Sequence, residues 1–323
     1  MTPPFASAGW LPGPHAMTVY ASMARPWPRP AFRRERWETP DDDFLDVDRL
    51  DGPSPDAPVL AISHGLEGSS RAPYVRGLAA AAVRRGLAVA AWNFRGCSGE
   101  PNRLLRQYHS GETGDLAFVV GRLAAERPGR PVLAAGFSLG GNQLVKWFGE
   151  WGAALPPEVR GGAAVSVPFD LAASAGALDG AGFWPLLYRE RFLGRLRRKA
   201  EAKAAAFPGA FDLAAVRRSR TFSEYDDLVT APVHGFAGAQ DYWRRSSAAR
   251  FVAGVRRPLL LLSASDDPLV PAGALPVAAA RKNPEVTLEV TPVGGHVAFV
   301  GGMPWRREFW AETRVLDFLL GWT

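Results

Sequence analysis

The clearest chemical signal in the sequence is a serine flanked by glycines. Ser138 stands at the centre of Gly136-Phe-Ser-Leu-Gly140, directly after the apolar run 132–136 and before an amphipathic stretch. A sharp strand-to-helix turn of this kind lifts a serine hydroxyl clear of a sheet, and the glycines leave room for neighbouring backbone. The context favours a nucleophilic serine over a plain glycine-rich turn.

A serine nucleophile needs a base, because its hydroxyl is weakly reactive at neutral pH. In proteins with this strand–turn–helix motif the chain order is serine, acid and then histidine. Only His234 and His296 follow Ser138, and His234 precedes every acid candidate that ends a strand. His296 comes directly after the predicted strand 286–291 and is the predicted base.

Two adjacent carboxyl groups compete to orient that base. Asp266 and Asp267 follow the apolar run 258–263, and both cannot point at one imidazole. The sequence Asp267-Pro-Leu-Val-Pro271 matches the Asp-x-hydrophobic-hydrophobic-Pro loop that is usual in this fold, which favours Asp267 as the acid. Its carboxylate would orient the imidazole and stabilise the charged form of the ring. Asp266 remains the second choice, as a turn residue or a support.

Hydrolysis through a serine also needs backbone N–H groups for the oxyanion of the tetrahedral intermediate. The N–H of Leu139, directly after the nucleophile, is one predicted donor. The loop His64-Gly-Leu-Glu-Gly68, after the apolar run 59–63, supplies the other, and Leu66 is preferred. His64 is expected to brace this loop.

The positions of these residues require an α/β fold with a mostly parallel, doubly wound sheet. Apolar strands alternate with helical stretches, which is typical of βαβ units. Strands are predicted at 33–38, 44–50, 59–63, 87–92, 132–137, 162–167, 258–263 and 286–291, and helices at 72–85, 113–125, 141–151, 272–280 and near the C-terminus. The first two strands form a predicted antiparallel hairpin.

The sequence predicts one domain over residues 1–323. The alternation of strands and helices stops between residues 168 and 235, where helical, basic and aromatic residues predict a helical cap insertion. The insertion is expected to cover the site and to shape an apolar acyl pocket with Phe183, Trp184, Leu186, Leu187 and Phe192. Residues 1–30 are rich in proline and tryptophan and lack periodicity, so they are predicted to form an irregular arm over the body.

The composition of the chain excludes several classes of protein. The chain has 47% hydrophobic and 22% charged residues, as globular proteins do, and no apolar run long enough to span a bilayer. Its single cysteine, Cys97, excludes an internal disulfide and a structural zinc site. With no signal-like N-terminus, the protein is expected to be cytoplasmic and to need neither metal nor cofactor.

The net charge of +6 raises the question of anionic partners. Basic residues concentrate in the run 189–199, where Leu193 and Leu196 recur at helical spacing, so a solvated helix face is the favoured interpretation. No nucleic-acid motif accompanies the run. We therefore expect a small-molecule partner and no nucleic acid, with weak membrane-surface association left open and the oligomeric state not predicted.

Several segments together resemble one family, the YheT-like α/β hydrolases. The segments that carry the resemblance are His64-Gly-Leu-Glu-Gly-Ser-Ser70, Asn93-Phe-Arg-Gly-Cys-Ser-Gly-Glu-Pro-Asn102, Tyr108-His-Ser-Gly-Glu112, Gly136-Phe-Ser-Leu-Gly-Gly-Asn142, Asp266-Asp-Pro268 and Gly294-Gly-His296. The resemblance implies the α/β-hydrolase fold, with a Ser-Asp-His triad on Ser138, Asp267 and His296 and with esters of acyl chains as substrates. The His-x-x-x-x-Asp motif of some relatives is missing.

The sequence thus predicts a serine esterase acting on short- to medium-chain acyl esters or lipid-like esters through an acyl-enzyme. Two alternatives stay open: thioesterase or acyltransferase chemistry on the same triad, and a catalytically silent, basic membrane-surface protein. Arg95, Cys97 and His109 recur in the family segments, but nothing in their chemistry assigns them a role.

Overall fold

A computed structural model describes residues 2–26 and 28–323, and its centre is one eight-stranded sheet. The strands of this sheet are β1 (Arg33–Glu38), β2 (Phe44–Leu50), β3 (Val59–Ser63), β4 (Ala88–Trp92), β5 (Val132–Phe137), β6 (Val159–Val165), β7 (Leu259–Ala264) and β8 (Val286–Thr291), and a separate hairpin contains β9 (Val300–Met303) and β10 (Arg306–Phe309). The spatial order is β1-β2-β4-β3-β5-β6-β7-β8.

Helices cover both faces of the sheet. They are α1 (Gly13–Val19), α2 (Pro73–Arg84), α3 (Gly114–Glu126), α4 (Leu139–Trp151), α5 (Leu171–Asp179), α6 (Phe183–Ala206), α7 (Leu213–Arg218), α8 (Phe222–Tyr225), α9 (Ala231–His234), α10 (Ala239–Ser246), α11 (Val277–Lys282) and α12 (Trp310–Leu319). Across residues 2–26 and 28–323, none of the helices has the length and apolarity to cross a membrane.

The sheet explains the continuous apolar runs of the sequence. Strands β4, β3, β5, β6, β7 and β8 pair in parallel, and β2 pairs antiparallel with both β1 and β4. Every residue of β3, β4, β5 and β7 is buried, because helices pack on both faces of the parallel strands. The prediction of an α/β fold with a mostly parallel, doubly wound sheet is confirmed, as is the β1–β2 hairpin.

The N-terminal arm is more regular than the sequence indicated. Helix α1 begins after Pro12 and continues into a π-helical turn at Tyr20–Ala24, so the prediction of an irregular segment is wrong for residues 13–24. Met17 and Ala21, four residues apart, pack against Ala298 and Val300. This tertiary contact stabilises a helix that is too short to form alone. Residues 1 and 27 of the predicted arm lie outside the described part.

A run of helices joins β6 to β7, in place of the short crossover seen between the other parallel strands. Helices α5 to α10 and a 3-10 segment at Ala248–Gly254 fill this connection. The amide of Asn142, on α4, donates to the carbonyls of Ser110 and Ser246 and accepts from the N–H of Ala248, each at 2.8–3.0 Å. The predicted cap insertion, 168–235, falls within this run, and its boundaries stay a prediction.

Candidate active site

Ser138 occupies a strained turn between β5 and α4. Its φ of 51° and ψ of −118° lie in a region that residues with a side chain rarely adopt. A Cβ at Gly136 would stand 2.4 Å from the carbonyl oxygen of Gly140, and a Cβ at Gly140 would stand 2.3 Å from that of His64. The glycines of the motif are therefore required by the close approach of strand, turn and helix.

His296 and Asp267 reach this serine from two other loops. The Nε2 atom of His296 lies 2.9 Å from the Oγ atom of Ser138, and its Nδ1 atom lies 2.8 Å from Oδ2 of Asp267. A carboxylate at Nδ1 holds the proton there, which leaves Nε2 free to accept the serine proton. The structure thus brings together the serine, base and acid that the sequence predicts, in the order that general-base catalysis needs.

The two neighbouring aspartates do different things. The Oδ1 atom of buried Asp267 also accepts the backbone N–H groups of Leu269 and Val270 at 2.9 and 3.1 Å, which orients the carboxylate toward the imidazole. Asp266 instead accepts the backbone N–H of Gly295 at 2.9 Å. Asp266 therefore supports the loop that carries His296, in agreement with the alternative role considered for it.

Two further hydroxyl groups hold the histidine loop, and neither was predicted. Thr18, on α1, accepts the backbone N–H of His296 at 2.9 Å, and Ser166 accepts that of Val297 at 2.9 Å. Val297 has a φ of 56°, so the loop is held in a conformation that a free chain would avoid. No local pattern marks Thr18, because only the folded arm brings it to this loop.

The predicted oxyanion donors lie beside the serine. Leu66 and Leu139 line one cavity together with Ser138 and His296, and within the described part of the chain neither backbone N–H has a hydrogen-bond partner. Leu139 is the first residue of α4, where backbone N–H groups are free and the helix dipole favours negative charge. Both N–H groups are thus available to a developing oxyanion.

The imidazole of His64 sets the conformation of the loop that contains Leu66. Its Nε2 atom accepts the backbone N–H of Phe94 at 3.1 Å, so its Nδ1–H donates to the carbonyl of Gly65 at 2.7 Å. Complete burial lowers the pKa of His64 to about 3, which keeps the ring neutral. Because the Gly65 carbonyl is the other end of the Leu66 amide, this hydrogen bond helps to orient the Leu66 N–H.

An apolar cavity opens from Ser138 into the helices between β6 and β7. Its wall includes mostly apolar side chains: Leu171, Ala175, Leu178, Phe192, Leu196, Phe222, Tyr225, Trp243 and Leu269. Of the aromatic and aliphatic residues expected to shape a pocket, Phe192 lines it, whereas Phe183 and Leu186 are 69% and 48% exposed. The expectation was wrong for these two because they lie on the solvent side of α6.

One carboxyl group interrupts the apolar wall. Asp226 begins a π-helical turn, Asp226–Thr230, and accepts hydrogen bonds from Trp243 Nε1 at 2.8 Å and from Thr230 Oγ1 at 2.6 Å. Burial raises the pKa of Asp226 to about 7, and these two hydrogen bonds only partly oppose that effect. Helical turns of this type occur frequently at functional sites.

The contacts and burial of Arg95, Cys97 and His109 are those of residues that support the fold. Arg95 makes two hydrogen bonds of 2.8 Å to Asp115 and one of 3.1 Å to Asp43, so it ties the β1–β2 turn to α3. Burial raises the pKa of Cys97 to about 11 and lowers that of His109 to about 3.

Within residues 2–26 and 28–323, no group of three or more His, Cys, Asp or Glu side chains is arranged to hold a metal ion.

Comparison with known proteins assigns the chain to a family. The family model described as alpha/beta hydrolase fold matches residues 58–302, a range that contains every predicted site residue. The chain belongs to the α/β hydrolase family. Within it, the Escherichia coli (strain K12) protein YheT is 39% identical, over 88% of this chain and 84% of its own length. The YheT-like resemblance found in the sequence is confirmed.

Two other similar proteins extend the comparison. A monoacylglycerol lipase of Saccharomyces cerevisiae is 30% identical, over 89% of this chain and 63% of its own length. Among solved structures, the Pyrococcus furiosus esterase Pf2001 superposes with a TM-score of 0.59 at 18% identity, covering 99% of both chains. At that identity the superposition supports the α/β hydrolase fold alone.

Proposed function

We propose that this α/β hydrolase cleaves carboxylic esters through an acyl-enzyme on Ser138. The observation that carries the proposal is the chain of hydrogen bonds from Ser138 Oγ to His296 Nε2 and from His296 Nδ1 to Asp267, at 2.9 and 2.8 Å. Relatives named as lipases and phospholipases support ester hydrolysis. The triad needs no cofactor.

In the proposed reaction, Ser138 Oγ attacks the ester carbonyl carbon while its proton passes to His296 Nε2. The N–H groups of Leu66 and Leu139 stabilise the oxyanion that forms. The carbon–oxygen bond to the alcohol then breaks, and His296 gives its proton to the departing oxygen. Water repeats the sequence on the acyl-enzyme, which releases the acid and returns the proton to Ser138. Asp267 stabilises the imidazolium in both halves.

The substrate class follows from the cavity beside Ser138. Its apolar wall, including Leu178, Phe192 and Leu196, suits the acyl chain of a short- to medium-chain ester. We propose that residues 168–235 form a cap insertion within a single domain, 1–323, because half of the residues that line the cavity belong to this segment. The partner is then a small-molecule ester, and a cytoplasmic location stays a prediction from the sequence.

The test is hydrolysis of a p-nitrophenyl ester series from acetate to palmitate. We compare the wild type with Ser138→Ala and with Ser54→Ala, a control in an exposed loop. The proposal expects a maximum at one chain length and a loss of at least about a thousandfold in Ser138→Ala only. A fluorophosphonate that labels the wild type but not Ser138→Ala would support the nucleophile independently. Equal activity in all three proteins would refute the proposal.

A further inference from the structure

The basic run that the sequence placed on a solvated helix face contributes to the active-site entrance. Arg191 and Arg195, on α6, line a groove of about 540 Å³ together with Arg71, Ser138 and His296. The groove is distinct from the apolar cavity, which measures about 120 Å³. Arg195 is exposed and Arg191 is partly buried, so these arginines face solvent, and the solvent-filled space that they line is the groove beside Ser138.

The groove and the apolar cavity meet at the reacting residues. Ser138 and His296 line both spaces, and so do Leu66, Phe192 and Leu269. An ester held at Ser138 has an acyl part and an alcohol part on either side of its carbonyl. If the acyl chain occupies the apolar cavity, the alcohol part extends into the groove.

The positive charge of the groove is not neutralised by the protein. Within the described part of the chain, no carboxylate lies within ion-pair distance of Arg71, Arg191 or Arg195, whereas Arg197, on the same helix, pairs with Glu190. The side chain of Arg195 donates to a carbonyl oxygen, that of Glu67, at 3.0 Å.

The one carboxylate among the lining residues is already occupied. Glu67 accepts from Lys199 Nζ and from the hydroxyl of Tyr108, both at 2.7 Å, and its side chain is buried. It therefore does not compensate the arginines of the groove. Arg191 and Arg195 are four residues apart on one helix, so their like charges face each other and repel. Burial and this neighbour both lower the pKa of Arg191.

We propose that the preferred substrates are esters whose alcohol part carries an anionic group, phosphate or carboxylate, which Arg71, Arg191 and Arg195 bind. Guanidinium groups suit this role, because their forked N–H donors match the oxygens of both anions. An anion in the groove would also relieve the repulsion within α6. The inference rests on the proposed ester hydrolysis at Ser138 and adds no chemical step to it.

The test compares octanoyl esters that differ only in the alcohol: glycerol, glycerol 3-phosphate and glycerate. Release of octanoate gives kcat/KM for each, and the measured quantity is the ratio of each anionic ester to the neutral one. We expect a ratio of about ten or more in the wild type at low ionic strength. The ratio should fall as salt rises to about 0.5 M, because the groove is open to solvent. The two anionic esters distinguish phosphate from carboxylate as the favoured group.

Three variants test whether the arginines of the groove cause the preference for anionic esters. Arg71→Gln and Arg191→Gln are expected to lower the ratio severalfold. Arg198→Gln removes the same charge from the same helix, at an exposed position that does not line the groove, and is expected to keep the ratio. Taking a ratio cancels any general loss of activity or folding.

The outcomes separate this inference from the proposed function. A wild-type ratio of one or less overturns the anion preference, and a ratio that Arg71→Gln and Arg191→Gln both leave unchanged overturns its assignment to the groove; either result refutes the inference. If Ser138→Ala also abolishes hydrolysis of every ester in that case, ester hydrolysis stands and the anion preference alone is refuted. If Ser138→Ala hydrolyses all three esters like the wild type, both proposals are refuted.

Discussion

Replacing Asp226 with asparagine is expected to stabilise the protein at alkaline pH. The carboxyl is buried in the wall of the apolar cavity, and burial raises its pKa to about 7 from the ordinary value of 3.8. An asparagine at this position carries no charge at any pH. Its oxygen can accept from Trp243 Nε1 and its amide can donate to Thr230, which preserves the two hydrogen bonds of the carboxyl.

The magnitude follows from the two pKa values. Below about pH 4, the carboxyl of Asp226 is protonated in both the folded and the unfolded chain and the shift has no effect on stability. As pH rises, the unfolded chain releases the proton first, so the folded state loses stability until the folded carboxyl also ionises near pH 7. Each pKa unit corresponds to about 1.4 kcal/mol, so the loss reaches about 4 kcal/mol above pH 7.

Urea denaturation followed by tryptophan fluorescence at a series of pH values measures this effect. The difference in unfolding free energy between Asp226→Asn and the wild type should grow by about 3 kcal/mol from pH 5 to pH 8. Asp56→Asn, at a side chain that is 84% exposed, is the matched control and should show no such growth. A difference that is constant with pH would refute the reasoning, since it would mean that the carboxyl of the folded protein is already ionised at pH 5, as it is in the unfolded chain.

Three further predictions concern the site itself. Gly140→Ala should destabilise the protein by about 3 kcal/mol in thermal unfolding, since its Cβ would stand 2.3 Å from the carbonyl oxygen of His64; an unchanged melting temperature would contradict the close approach. Asp267→Asn should lower kcat by about a thousandfold or more, whereas Asp266→Asn, which can still accept a backbone N–H, should lower it less than about tenfold; the reverse order would exchange the two roles. Leu178→Trp should shift the preferred p-nitrophenyl ester toward shorter acyl chains, and an unchanged preference would place the chain elsewhere.

The sequence predicted the site residues best where their positions depend on a few neighbouring residues. The role of the glycines around Ser138 could be recognised because strand, turn and helix follow one another within a few residues. The same applies to Asp267 and His296, each of which follows the end of a strand whose neighbours could be recognised by their continuous apolar residues. Because parallel strands end at one edge of the sheet, three local patterns were enough to predict where these side chains meet.

Features that depend on packing between distant segments were not predictable in this way. Helix α1 has no clear periodicity and forms because Met17 and Ala21 pack on the C-terminal part of the chain. The direction in which α6 faces was equally difficult to predict. Phe183 was expected in the pocket but is exposed, and the sequence did not indicate that Arg191 lines the groove beside Ser138. A helix with both apolar and basic residues on several sides does not reveal which side is covered.

The supports of the His296 loop have a consequence for the order of folding. Thr18 and His296 are separated by 278 residues, and Ser166 is 131 residues from the N–H that it accepts. Contacts between such distant positions close long loops of chain and form slowly. During refolding, the sheet can therefore assemble, and tryptophan fluorescence recover, before the base is in place. The return of hydrolytic activity then marks the last step, when the two ends of the chain have docked on each other.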